Sequence, residues 1–183
     1  MTLYNRMKKA AIYPGTFDPV TFGHIDIINR ALEIFDRLYV AVANNTSKAP
    51  IFSTDERVEF IRRATQNKKN IIVEAFDGLV VKYATAKRTN VMIRGIRATS
   101  DFDYEFQMAL TNRKLDESIQ TVFLISSERH FYLSSTLIRE IARLGGRIKD
   151  FVPPYVEQKL IERIESSGCS PVPIRSSRGR RPE

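Results

Sequence analysis

The sequence predicts an α/β fold, a doubly wound five-stranded parallel sheet with helices on both faces. Three observations predict it. Short β-rich apolar runs alternate with segments of helical period along most of the chain. The runs carry little polar interruption, as in Leu38-Tyr39-Val40-Ala41-Val42-Ala43, which marks strands buried on both faces. The helical segments between them supply the crossovers that parallel strands require.

Residues 10–13 form the first strand of this reading. A loop follows, Tyr13-Pro14-Gly15-Thr16-Phe17-Asp18-Pro19-Val20-Thr21-Phe22-Gly23-His24, its backbone restricted by two prolines. Ile25, Ile28, Leu32 and Phe35 then recur at helical spacing, giving a helix from His24. The second strand is 38–43, and the polar turn after it, 44–50, contains Lys48. Ser53-Thr54-Asp55-Glu56 reads as a capping box opening a helix whose inner face is Val58, Ile61 and Ala64. Residues 71–73 are a strand, 79–86 a helix and 91–93 a fourth strand, with Arg94-Gly95-Ile96-Arg97 directly behind it. The helix over 101–115 is expected to bury Phe102, Phe106, Ala109 and Leu110. Residues 121–125 are the fifth strand. A polar loop from Ser126 leads to Leu133-Ser134-Ser135-Thr136, where Ser134 or Ser135 caps a helix running to Leu144. Gly145-Gly146 ends that helix, Pro153-Pro154 breaks the chain, and 155–164 form the last helix.

Composition bounds the possibilities. The apolar share of 43% and charged share of 27% are those of a globular domain, and 183 residues suffice for a substantial core. No apolar run is long enough to span a membrane, and the N-terminus has no apolar segment of the secretory kind. One cysteine, Cys169, excludes an internal disulfide framework and a cysteine-rich zinc site. A cytoplasmic protein is the expectation. The net charge of +8 raises nucleic-acid binding, but the excess gathers at the ends, in Arg6, Lys8 and Lys9 and in Arg175, Arg178, Arg180 and Arg181. A solvated basic tail is the commoner use of such residues. The expected organisation is one domain over 1–166 and a basic Ser/Pro/Arg-rich tail over 167–183, read as disordered.

In an open parallel sheet, ligands bind beyond the carboxyl ends of the strands, where strand order reverses. Three donor-rich stretches follow strands here. The first loop offers Thr16, Thr21 and His24 at a helix start, where free N–H groups favour an anion. Arg94 and Arg97 flank a glycine after the fourth strand, and a guanidinium fork suits phosphate oxygens. Ser134, Ser135 and Thr136 offer hydroxyls after the fifth. Each has a plain structural use as well: turn residues, caps, or ion pairs of the arginines with Asp101, Asp103 or Glu105. Their convergence on one edge points to a polyphosphate such as ATP. The acidic residues show no metal-loop spacing, so no protein metal site is assigned.

These motifs carry a resemblance. Thr21-x-Gly23-His24 is similar to the T-x-G-H or H-x-G-H signature of the nucleotidyltransferase superfamily. Arg94-Gly95-Ile96-Arg97, Asp101-Phe102-Asp103-Tyr104-Glu105 and Leu133-Ser134-Ser135-Thr136, in that order, narrow it. Over roughly residues 8–164 the chain resembles the bacterial phosphopantetheine adenylyltransferase family. The resemblance implies a Rossmann-like nucleotidyltransferase fold and reversible adenylyl transfer from ATP to 4′-phosphopantetheine, giving dephospho-coenzyme A and pyrophosphate. It implies Mg²⁺ carried with ATP, a homo-oligomer that is usually a hexamer, and feedback binding of coenzyme A.

By the same resemblance, Thr16, His24, Lys48 and Arg94 are the catalytic set, Thr16 and His24 on the reacting phosphates. Thr16, Phe17, His24, Gly95, Ile96, Arg97 and Glu105 would hold ATP, with the run His130, Phe131, Tyr132, Leu133, Ser134, Ser135 and Thr136. Thr16, Lys48, Leu79, Val80 and Arg94 would hold phosphopantetheine. The chemistry suits such a set: an anionic phosphate needs no base to attack, only alignment and charge stabilisation. His24 is expected to be protonated beside phosphates. The chain departs from relatives at Phe22, where many have Asn, and at His130, where Trp is common. The alternatives are another small nucleotidyltransferase, acting on nicotinamide mononucleotide or transferring cytidylyl groups, and a basic nucleic-acid-binding module.

Overall fold

The computed structural model describes residues 9–44, 50–97 and 99–167. Along the chain they form β1 (Ala10–Gly15), α1 (Phe22–Ile34), β2 (Arg37–Ala43), α2 (Thr54–Ala64), β3 (Ile71–Phe76), α3 (Val80–Ala86), β4 (Val91–Ile96), α4 (Thr99–Leu115), β5 (Gln120–Ile125), α5 (Ser135–Arg143) and α6 (Pro154–Ser166). Every strand pair is parallel, in the order β3-β2-β1-β4-β5. The doubly wound sheet read from the sequence is therefore the fold, and its order reverses between β1 and β4.

Alternation along the strands feeds two cores. Ala11 and Tyr13 of β1 and Leu38, Val40 and Val42 of β2 point to one side, where α1, α2, α5 and α6 pack Ile27, Ile28, Phe60, Ile138 and Leu160. Ile12 and Ala41 point to the other side, against Val81 and Ala84 of α3 and Met92 of β4. Strands wedged between two cores must be apolar at every position, and this is why their sequences lack alternation.

The structure corrects several boundaries. β1 runs to Gly15 rather than residue 13, because Pro14 and Gly15 still pair with Ala41 and Val42 of β2. β4 runs to Ile96, so Arg94, Gly95 and Ile96 are strand residues opposite Phe123, Leu124 and Ile125. Helix α1 opens at Phe22 with Thr21 as its cap. The expected burial of Phe102, Phe106 and Leu110 is overturned: all three are exposed, along with Tyr104, Met108 and Leu115. Apolar residues are spread around α4 rather than gathered in one stripe, so no single face can bury them within the chain.

The β1–β4 seam shows how the sheet opens. The two strands share one register position, Ile12 with Met92. Two residues on, Pro14 has no N–H to continue the ladder. Its carbonyl accepts instead from Arg94 Nη1 at 2.8 Å. Beyond that point the strands part.

Candidate active site

Where β1 and β4 separate, a cleft of about 520 Å³ opens at the carboxyl edge. Its lining includes Thr16, His24, Arg94, Gly95, Arg97, Glu105, Ser134, Ser135 and Thr136. Sequence elements up to 120 residues apart thus meet where the strand order reverses.

The first loop is held from beneath. Gly15 is needed because a Cβ there would come within 2.8 Å of the Phe17 ring. Phe17 itself has φ 51 and is buried, its ring set edge-on to Tyr13 and His24. Arg57, wholly buried, donates to the Thr16 carbonyl at 2.7 Å and to the Ala43 carbonyl at 2.9 Å. Asp18, also buried, accepts from the N–H groups of Ile51 and Phe52 at 2.9 and 3.0 Å and from Arg139 at 2.6 Å. One carboxylate therefore joins the loop to the segment before α2 and to α5.

The signature Thr21-x-Gly23-His24 is a reciprocal helix cap. The Thr21 N–H donates to His24 Nδ1 at 3.0 Å, while the His24 N–H donates to Thr21 Oγ1 at 3.3 Å. Because Nδ1 accepts, the ring proton of neutral His24 sits on Nε2, ready to donate. Burial, then repulsion from Arg97 and Arg94, pushes the His24 pKa down to about 3. In the ligand-free cleft burial, then the two arginines, thus favour the neutral imidazole, whereas the protonated form is expected only beside bound phosphates.

A stability prediction follows. When folding lowers a histidine's pKa, the unfolded chain takes up the proton first, so this contribution is whole above pH 6.5 and is lost as pH falls toward about 3. His24→Gln, which does not titrate there, is expected to flatten that part of the stability profile. Urea denaturation at several pH values checks this, and an unchanged slope would remove His24 as its source.

The two helix starts at the cleft differ in how many backbone donors they leave free. At α1 the Phe22 N–H is taken by the Phe151 carbonyl and that of His24 by Thr21, leaving Gly23 without a partner among the described residues. Helix α5 is more open. Ser134 caps the Leu137 N–H, and the Ser135 hydroxyl donates to the Pro19 carbonyl at 2.8 Å. The N–H groups of Ser135 and Thr136 have no partner among the described residues and border the cleft. Arg139, one turn on in α5, lines the same wall.

Arg94 is fixed rather than floating. Its Nε and Nη2 donate to the two Glu105 oxygens at 2.5 and 2.6 Å, and Nη1 to Pro14. Burial opposes its charge, but the bonds and charge of Glu105 outweigh this and hold the guanidinium firmly protonated. A guanidinium has five N–H groups, so the remainder stay available to an anion. Glu105 spends both oxygens on Arg94. Arg97 donates to Asp101 at 2.9 Å and to the Leu133 carbonyl at 2.9 Å, tying β4 to the loop before α5.

Other expected residues stand apart. Ile96 does not line the cleft, nor do His130, Phe131 and Tyr132. The His130 backbone packs over Gly23, and its ring lies 6.1 Å from that of Phe22. Phe131 and Tyr132 are exposed. Leu79 is exposed at the start of α3, and Val80 packs on the smaller core. Lys48 and the 168–183 tail lie outside the described residues. Sequence reasoning missed Arg57, Asp18 as an anchor, Arg139 and Ser126. Arg139 alone had a signal, lying four residues after Ser135 and hence facing the same helix end.

Among the described residues, no group of three His, Cys, Asp or Glu side chains could hold a metal ion. The cleft carboxylates Asp18 and Glu105 are both engaged by arginines.

Comparison with known proteins gives a consistent result. Residues 12–141 match the model of the cytidylyltransferase-like family. The chain is 50% identical over 159 residues to a phosphopantetheine adenylyltransferase of Caldanaerobacter subterraneus subsp. tengcongensis, covering 87% of this chain and 99% of that one. It is 48% identical over 161 residues to a phosphopantetheine adenylyltransferase of Carboxydothermus hydrogenoformans, covering 88% and 99%. A solved structure, a candidate nicotinate-nucleotide adenylyltransferase of Vibrio parahaemolyticus, superposes with TM-score 0.59 at 22% identity over 89% of this chain and 95% of that one. At that identity the likeness is one of fold.

Proposed function

The chain belongs to the phosphopantetheine adenylyltransferase family, and from that premise we propose how its cleft performs adenylyl transfer. The reaction joins ATP and 4′-phosphopantetheine to give dephospho-coenzyme A and pyrophosphate. The observation that carries the residue assignment is the meeting of Thr16, His24, Arg94 and the open α5 N-terminus in one cleft.

An oxygen of the phosphopantetheine phosphate attacks the α-phosphorus of ATP. The bond to the oxygen bridging the α- and β-phosphates breaks, and pyrophosphate leaves. Arg94, held rigid by Glu105, receives the attacking phosphate, and Lys48 is assigned to it by sequence position. Thr16 and the Nε2–H of His24 contact the α-phosphate, where charge gathers as the bond forms. The N–H groups of Ser135 and Thr136 support the departing phosphates. Leu79 and Val80, at the start of α3, are assigned to the pantetheine arm. Such a site works by alignment and preorganised donors, with no covalent intermediate. Mg²⁺ enters with ATP as part of the substrate, held by phosphate oxygens and water.

We extend the same reading to a cytoplasmic enzyme and a homo-oligomer. No described helix is long and apolar enough to cross a membrane. The exposed Phe102, Tyr104, Phe106, Met108 and Leu110 of α4 support burial against another copy. Coenzyme A, which contains the phosphopantetheine moiety, is expected to compete in the same cleft.

The test is pyrophosphate release from ATP and Mg²⁺ with and without 4′-phosphopantetheine. Release that depends on phosphopantetheine is expected, and its absence would sink the reading. Light scattering on the same sample checks assembly, with a molar mass well above the chain's 21.0 kDa expected.

A further inference from the structure

Ser126 follows the last residue of β5, and its N–H continues the β4–β5 ladder to the Ile96 carbonyl at 3.3 Å. Its side chain borders the cleft, yet it is only 7% exposed. Its Oγ is buried without any hydrogen-bond partner, the one such side-chain atom among the described residues. Folded proteins rarely leave a buried hydroxyl unpaired, and an orphan beside a cleft is a group whose partner arrives with the ligand.

Position decides which part of the ligand that is. The phosphate donors Thr16 and His24 stand after β1, and Ser126 stands two strands away, after β5. That separation is roughly 9–10 Å at the usual strand spacing. The cleft lining also includes Gly95, Ile27 and Leu133, together with Arg97, whose guanidinium is engaged by Asp101 and the Leu133 carbonyl. Gly95 is kept bare because a Cβ would sit 3.1 Å from Ile27, which leaves a flat strip of backbone. Apolar side chains and bare backbone with one unpaired polar atom, where Arg97 is already engaged by Asp101, suit an aromatic heterocycle.

We propose that Ser126 is a specificity-determining residue whose buried hydroxyl hydrogen-bonds an edge atom of the adenine base. This rests on the reading that ATP occupies the cleft. A serine hydroxyl both donates and accepts, so it can meet the 6-amino group or a ring nitrogen.

The test is Ser126→Ala in the full chain, with two readouts of opposite sign. The KM for ATP is expected to rise roughly 5- to 30-fold, the worth of one such bond, with kcat and the KM for phosphopantetheine unchanged. The thermal midpoint of the ligand-free protein is expected to rise by about 2–4 °C, because an unpaired buried group has been removed. The ATP penalty should disappear with one of three analogues lacking a single edge group: purine riboside triphosphate, 1-deaza-ATP or 7-deaza-ATP. An unchanged KM, a lowered midpoint, or an equal penalty with ATP and all three analogues would overturn the proposal. Calorimetric ATP affinity of both proteins separates the two readings. If wild type binds ATP but makes no pyrophosphate, the reaction is wrong, while the affinity ratio still judges Ser126.

Discussion

Replacing His24 by alanine is expected to lower turnover about 10²–10³-fold while the protein stays folded. The size follows from the role: the Nε2–H is one preorganised donor aimed where charge develops, and such donors typically supply that much. The fold should survive because His24 lines the cleft from the first turn of α1 and is not part of its packed stripe of Ile27, Ile28 and Ala31. Losing the cap on the Thr21 N–H should still cost about 1 kcal/mol. Single-turnover kinetics and circular dichroism together check this. A near-wild-type rate would remove His24 from the mechanism.

Asp18→Ala should be the most damaging change to stability. Asp18 is 2% exposed and receives bonds from two backbone N–H groups and from Arg139. Removing one side of a buried ion pair leaves the other charge uncompensated, at a cost of about 3–5 kcal/mol. Chemical denaturation measures it, and a loss below about 1 kcal/mol would show that the loop does not depend on this anchor. Turnover should fall as well, since the anchor sets Thr16 and the α5 N-terminus in register.

The sequence was informative where backbone chemistry is local. Ser53 and Glu56 form the reciprocal cap expected of them, because a capping box needs only residues three apart. Strand runs were visible because a central parallel strand must be apolar throughout. The Thr21–His24 pair has the same three-residue spacing, but histidine is not a usual capping partner, so its cap went unread. Arg57 looked like any polar residue on a helix, since only folding puts the carbonyls of Thr16 and Ala43 within its reach. Helix α4 misled for the opposite reason: its aromatic residues suit a buried helix, but the described residues leave them largely exposed.

By itself the sequence determined the parallel sheet and the three donor-rich stretches behind its strands, while the strand order that brings them together came from the tertiary structure. The sheet and the stretches follow from period, capping and strand composition, which act over a few residues. Tertiary structure alone decided which donors are free. It spent the Phe22 and His24 N–H groups on Phe151 and Thr21, left those of Ser135 and Thr136 open, lowered the His24 pKa by burial and two arginines, and stranded the Ser126 hydroxyl. Those outcomes depend on which distant groups meet in space, and a donor already satisfied looks the same in sequence as one held in readiness.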